Sequence, residues 1–550
     1  MYLSGKINKP AVIDLLIILF TGIILITYNY RKDMLPDGLA FSVQLCSGWF
    51  LFRFLYTYFP SLPFYTCVGI LLFGLVEAVW GLGQLYDFFP SKHRLFKTTG
   101  SFMNPGPYGG FIALLFSLAL HYWFVFKHTK KWIGYLFLFV GAVCMMVFPA
   151  TLSRAAWVAA VAGCLPVLLI DTPVISRLRI FWRRHKRKSI ITITVVSILL
   201  FGGVYGIYYL KKDSADGRMF MWKITALAIR ESPLKGTGPG GFPAAYAKAQ
   251  MEYFKSDKAT QAEKLVAGCP DYAFNEYLQI FLEQGLTGII LFLSLTCLII
   301  KNGIKNRQIG AAGSFLALSV FALASYPYRL WEFPVVWVML GTVCIVQPGY
   351  KTVEKQPYSW KKIIPSFLLI AILCSISITG IIKQKEFYQA EREWKKQRSM
   401  YKRKAYTAVI DGYAGLYPLL DHKRKFVFEY GRALNESGEK EKADSIFGRG
   451  LEISCDAMFY NVRGRNYYEM GEYDKAENCY IKSTLLLPER IYPYFLLTKL
   501  YADPANYQPD KMVRAANAVL QKEPKVHSMA IMEMRAEVRK ILKEKGISHE

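Results

Sequence analysis

The chain has 550 residues, 53% of them hydrophobic, and a formal net charge of +27, with a mean hydropathy of +0.21. On a soluble protein that charge would point to nucleic acid; here much of it sits in short loops between apolar runs of about 20 residues, where orientation in a membrane accounts for it. The ten cysteines show no Cys-x-x-Cys and no Cys/His ligand spacing, which argues against a metal site and against a disulfide framework. Seven of them (46, 67, 144, 164, 297, 344 and 374) fall in apolar runs, and a pairing of Cys455 with Cys479 stays open.

In chain order, apolar segments at roughly 11–28, 39–59, 64–84, 107–126, 132–150, 154–170, 190–210, 276–300, 310–326, 329–347 and 363–382 predict about eleven helical spans. The expected fold class is all-α: a polytopic transmembrane helix bundle over 1–382, interrupted by a large polar loop at 211–275, and a helical-repeat domain over 383–550. The first run begins near Ala11 without a small-residue cleavage site and reads as a retained span. Alternate loops hold the basic residues: Lys127, Lys130 and Lys131; the run from Arg177 to Lys188; Lys301, Lys305 and Arg307; and Lys351, Lys355, Lys361 and Lys362, joined by Lys6 and Lys9. These loops are expected in the cytoplasm, which puts the 211–275 loop on the opposite side. An odd span count puts the C-terminal region there too, unless the short pair 310–326 and 329–347 is miscounted.

Before the fourth span the chain reads Gly81-Leu-Gly-Gln84, Lys92-His-Arg94, Lys97 and Gly100-Ser-Phe-Met-Asn-Pro-Gly106. These basic residues face outward, against the trend, which fits either an anionic partner or a solvated loop at lipid headgroups. Arg53 and Glu77 lie inside spans, where an ionisable residue is by default a functional candidate; a neutral, hydrogen-bonded Glu77 packed between helices explains it equally. Between the fifth and sixth spans there is almost no loop, so Arg154 lies at the outer membrane boundary. In the large loop Arg218 opens a helix-like segment, 218–229, ahead of a Gly-rich turn. A guanidinium can grip a phosphate in bidentate fashion. Two of them on one face could clamp a pyrophosphate and stabilise charge on a leaving group; alone, each is equally an interfacial anchor.

After 382 the composition turns polar. Gly431, Gly438, Ala443 and Phe447 recur at a spacing of 33 as Gly464, Gly471, Ala476 and Tyr480, the small/large alternation of a helix–turn–helix array. The pattern resembles the tetratricopeptide repeat, with a degenerate third unit from Tyr494 and a partial one at 405–418. Such arrays dock proteins and carry no chemistry of their own.

The outward motifs together resemble the O-antigen ligase and polymerase family of bacterial envelope glycosyltransferases. The matching pieces are Gly-Leu-Gly-Gln (81–84), Gly-Ser-Phe-Met-Asn-Pro (100–105), Ser-Arg-Ala-Ala-Trp (153–157), Arg218-x-x-x-Trp222, Pro-Leu-Lys-Gly-Thr-Gly-Pro-Gly-Gly-Phe (233–242) and Asn-Glu-Tyr-Leu-Gln…Gly-Leu-Thr-Gly (275–288), covering most of 65–345. The resemblance implies a multi-pass protein of the bacterial inner membrane. It would move a glycan from undecaprenyl pyrophosphate in the outer leaflet to a hydroxyl of an acceptor lipid, glycan or protein, with inversion and with neither metal nor other cofactor. By position, Arg154 and Arg218 would hold the pyrophosphate, and Asn104, Gly238 and Tyr277 would contact substrate. The family's catalytic His-Asn pair is Phe274-Asn275 here, and phenylalanine accepts no proton. The general base is then expected from Glu276, Asp271 or Tyr272, in that order, with His93 as a fourth option; otherwise the acceptor differs or the protein is inactive. Two residues along a helix turn a side chain by about 200°, so Glu276 replaces the histidine directly only if the helix starts later. A transporter of a lipid-linked anion and an inactive envelope scaffold are the rival readings, and no nucleic-acid partner is expected.

Overall fold

The computed structural model describes residues 12–30, 36–188, 190–191, 194–195, 212–256, 258–346, 360–524 and 527–547. The span expected at 190–210 lies almost wholly outside the described residues, as do Lys6, Lys9, Lys351 and Lys355. Among the described residues every regular element is a helix. The chain divides into two compact units, one of Met1–Ile26, Gly38–Lys212 and Phe274–Gly380, the other of Thr27–Asp37, Asp213–Ala273 and Ile381–Glu550.

The first unit is built from helices that satisfy their backbone groups internally, the arrangement lipid demands of a spanning segment outside a closed barrel. Among the described residues four helices are long and apolar enough to cross a membrane by length and composition: Leu62–Leu85, Pro105–Phe126, Lys131–Thr151 and Glu276–Lys305. Shorter apolar helices accompany them at Val12–Tyr28, Arg154–Ile170, Ile309–Phe321 and Glu332–Ile345. Pro36–Tyr58 covers the second expected span, and Trp360–Lys402 runs through the last and continues well past it. Where Arg154–Ile170 meets Ile309–Phe321, Gly163 and Gly313 leave no room for a Cβ on either, because each would strike the other's backbone carbonyl. Nearby, the Ser117 and Ser314 hydroxyls share a 2.8 Å hydrogen bond. Small residues and hydroxyls do this work because lipid supplies no hydrophobic drive for helices to associate.

Both intramembrane charges flagged in the sequence have partners. Arg53 pairs with Asp14 at 3.2 Å, and Asp14 also accepts the Trp49 indole N–H at 2.9 Å. Glu77 accepts the backbone N–H of Ser101 at 2.9 Å. Two turns further on, Gln84 accepts the N–H groups of Thr99 and Gly100, both at 2.8 Å. The Gly-Leu-Gly-Gln and Gly-Ser-Phe-Met-Asn-Pro motifs are therefore one construction, a helix end holding the loop that precedes the next helix.

In the second unit, residues 213–273 share a body with the C-terminal helices. Gln250, on the helix Phe242–Lys255, donates to the carbonyls of Gly268 (3.2 Å) and Leu486 (2.7 Å). Asp271 pairs with Arg424 at 2.9 Å. The C-terminal helices pack as successive hairpins: Arg424–Glu436 with Lys440–Ile453, Ala457–Glu469 with Tyr473–Leu486, and Ile491–Ala502 with Pro509–Gln521. The spacing of 33 now has a packing meaning. A Cβ at Gly431 would meet the Phe447 ring, and one at Gly464 the Tyr480 ring, each at 2.5 Å. Gly438 and Gly471 occupy the turns between helices with φ of +90° and +75°.

Candidate functional site

In the first unit, a short 3-10 turn, Pro149–Thr151, and Leu152 at φ +48° bring the chain round sharply. Arg154 follows as the first residue of the helix Arg154–Ile170, half-buried. A helix N-terminus already favours anions through its unpaired N–H groups and dipole, and Arg154 adds a full positive charge there.

The segment at 274–285 is more elaborate. Phe274 adopts φ +51°, a conformation that strains a bulky residue, and its ring stands edge-on to Tyr326 at 5.1 Å. Asn275 caps the next helix, its side chain accepting the N–H groups of Tyr277 (3.0 Å) and Leu278 (3.1 Å). The helix therefore begins at Glu276, and Phe274 lies outside it, so the angular objection to Glu276 does not arise. Glu276 is 4% exposed; one carboxylate oxygen accepts the Tyr328 N–H at 2.8 Å, and its own N–H donates to the Ala322 carbonyl at 2.9 Å. The Tyr277 hydroxyl donates to the Ser319 carbonyl at 2.9 Å.

Further along the same helix, Glu283 accepts from Gln279 at 2.6 Å and from Arg329 at 2.7 Å. Glu276, Gln279 and Glu283 thus form a buried polar stripe on one helix face. The stripe ends where Gly285 leaves helical geometry (φ +68°, ψ −169°). Irregular backbone at membrane depth is tolerated where protein or a water-filled cavity surrounds it.

In the second unit Arg218 is half-buried on the helix Lys212–Glu231, which starts earlier than the expected 218–229. One turn on, Trp222 donates its indole N–H to the Ala273 carbonyl at 3.0 Å, tying this helix to the residues just before the Phe274-Asn275 pair. Lys223 binds Glu263 at 2.6 Å and the Tyr253 hydroxyl at 2.7 Å. Burial works to raise the Glu263 carboxyl, but the Lys223 ammonium, the Thr260 N–H and the Tyr253 hydroxyl together outweigh it and hold the group down at about 2. The Gly-rich motif is a backbone device: Gly236, Gly238 and Gly240 take φ of +69°, +83° and +80° to wind the chain into the helix Phe242–Lys255.

Of the residues singled out in the sequence, Arg154, Asn104, Asn275, Glu276 and Tyr277 belong to the first unit, Arg218 and Gly238 to the second. Asn104 caps the helix Pro105–Phe126, accepting the Gly106 N–H at 2.9 Å. Among the alternative bases, Asp271 is engaged by Arg424, and His93 accepts the Leu95 N–H at 3.1 Å within its own turn. Sequence reasoning passed over Glu283, Gln279 and Arg329. The available signal was a second acid seven residues after Glu276, in a run otherwise apolar enough to span a membrane.

Comparison with known proteins bears on residues 145–293, which match the O-antigen ligase family model. Arg154, Arg218, Gly238, Asn275, Glu276 and Tyr277 all fall inside the matched stretch. A protein of Rickettsia felis, named as a candidate polysaccharide ligase, is 27% identical over 150 residues, 26% of this chain and 35% of the relative. One of Rickettsia bellii with the same name is 27% identical over 188 residues, 32% of this chain and 43% of the relative. One of Rickettsia conorii, likewise named, is 25% identical over 150 residues, 26% and 34% of the respective chains. The matches thus span less than half the length of each of these relatives.

Proposed function

From the match of residues 145–293 to the O-antigen ligase family model, we propose that this protein transfers a glycan from an undecaprenyl-pyrophosphate carrier to an acceptor hydroxyl at the outer face of the bacterial inner membrane. The observation that carries the reading is that Arg154 and Arg218 both fall within the matched residues 145–293, each on a helix. Arg154 stands at a helix N-terminus, and Arg218 precedes by one turn the tryptophan that binds the Ala273 carbonyl. Each guanidinium would bind phosphate oxygens of the carrier and stabilise the charge that builds there as the anomeric C–O bond breaks. The acceptor hydroxyl attacks from the opposite face, inverting the anomeric centre, and no metal takes part.

Phe274 cannot serve as base. Glu276, at the start of the capped helix and oriented by the Tyr328 N–H, takes the acceptor proton. Gly238, Tyr277 and Asn104 contact the substrate, on backbone shaped by the Gly-rich turn and the two helix caps. The C-terminal hairpins form a tetratricopeptide-like domain that docks a protein partner, and this domain and the 213–273 loop face the periplasm.

Purified protein in lipid nanodiscs, given an undecaprenyl-pyrophosphate glycan and an acceptor, should release undecaprenyl pyrophosphate and yield a glycosylated acceptor, with turnover unchanged by a chelator. Movement of the intact carrier across a vesicle with no bond cleaved would instead establish a transporter. A product in which glycan repeats are joined to one another would identify a polymerase.

A further inference from the structure

We propose that Cys269 and Cys455 form a reversible disulfide that fastens the 213–273 loop to the C-terminal helices. Their separation in sequence conceals the pair. Cys455 occupies the tight turn between Lys440–Ile453 and Ala457–Glu469 and is 1% exposed. Cys269 is half-buried in the irregular stretch that follows the helix Gln261–Val266. The two thiols are close enough to influence each other's ionisation, and both act on the buried phenol of Tyr246. Both are free thiols in this structure.

The backbone beside Cys269 is held on both sides. Gln250 takes the Gly268 carbonyl at 3.2 Å while also holding that of Leu486 at 2.7 Å, and Asp271 is paired with Arg424 at 2.9 Å. Joining two neighbouring sulfurs on a clamped backbone asks for a small movement, the condition a disulfide needs. The Cys455–Cys479 pairing left open by the sequence is therefore replaced by one with Cys269.

The chemistry is thiol–disulfide exchange, with a small or protein-borne disulfide of an oxidising compartment as the oxidant. Burial first, then the neighbouring Cys269, Asp456 and Asp271, push the Cys455 thiol up, so the more accessible Cys269 reacts first. Its thiolate attacks the external disulfide and expels one thiolate. Cys455 then attacks the Cys269 sulfur and expels the second. Two protein thiols are oxidised, one disulfide is reduced to two thiols, and the two protons pass to the thiols released. The bond would lock the loop bearing Arg218 and Trp222 onto the repeat helices. It rests on the proposed periplasmic placement of this unit and not on the glycan-transfer chemistry.

The test treats the full-length protein in detergent with oxidised glutathione, then alkylates it and digests it without reduction for mass spectrometry. The expected result is a linked peptide pair containing Cys269 and Cys455 and near-complete loss of alkylation at both. Cys269→Ser and Cys455→Ala should each abolish the pair, while Cys479→Ser should retain it. Cys269 is the less buried, so Cys269→Ser carries the test if Cys455→Ala fails to fold. Full alkylation of both cysteines in the natural chain, a stable glutathione adduct on Cys269 with Cys455 still alkylated, or a link to Cys479 would each overturn the proposal.

Discussion

Glycine does different work in the two units. In the first, Gly163 and Gly313 let two helices touch backbone to backbone. In the second, Gly431 and Gly464 make notches for the Phe447 and Tyr480 rings. The difference follows from the solvent. Lipid gives apolar side chains no reason to leave it, so membrane helices gain from close contact and polar links; in water the same notch lets a large ring escape solvent. Charges follow a related pattern. The acids of the pairs Arg53–Asp14 and Arg329–Glu283 are only 2% and 7% exposed, whereas pairs such as Lys396–Glu393 stand largely in solvent, at 64% and 45%.

The contrast can be broken most forcefully at the rings. Phe447→Ala should cost about 3–5 kcal/mol, through lost burial and the cavity left beside Gly431, read from chemical unfolding of the second unit. Glu283→Ala removes the buried carboxylate to which Arg329 and Gln279 donate and should cost about 3 kcal/mol, measured in detergent by titration with a denaturing surfactant. Gly313→Val at the backbone crossing should cost about 2 kcal/mol by overpacking on the same measurement; an unchanged midpoint would mean those helices do not meet as described.

A smaller effect sits at Glu263. Its carboxyl is held at about 2 in the folded protein, below the ordinary carboxylate range. Its contribution is therefore fully present at neutral pH, declines once the pH drops below about 4.3, and is gone below the folded value. Thermal melts between neutral and strongly acidic pH should show this loss in the natural chain, reduced in Glu263→Gln. The smallest change is expected of Lys396→Ala, within about 0.5 kcal/mol, because exposed ion pairs contribute little.

Much of the architecture could be read from residue order. Long apolar runs mark the membrane helices because a span must satisfy its own backbone, and the spacing of 33 marks the repeats because each glycine needs its aromatic partner. Composition could not reveal that Asp213–Ala273 shares a body with the C-terminal helices. That union depends on single contacts such as Asp271–Arg424 and Gln250–Leu486, between residues unremarkable in their own segments. Arg154 and Arg218 stand out from their motifs, and both fall in the stretch that matches the family model. The start of the helix at Glu276 was not legible, since it turns on the positive φ of Phe274 and the Asn275 cap. Nor was the partnership of Glu283 with Arg329, which a loop between two later helices supplies. The intramembrane charges Arg53 and Glu77 invited a transport reading, yet both have local partners that account for them.

The most direct test compares release of undecaprenyl pyrophosphate by the natural chain, Arg154→Ala and Arg218→Ala, each confirmed folded by its unfolding midpoint. If these guanidiniums grip the diphosphate, each substitution should lower turnover by about 100-fold or more, and lysine at either position should restore only part of it because the two-pronged contact is lost. Full turnover by either alanine variant would contradict the account.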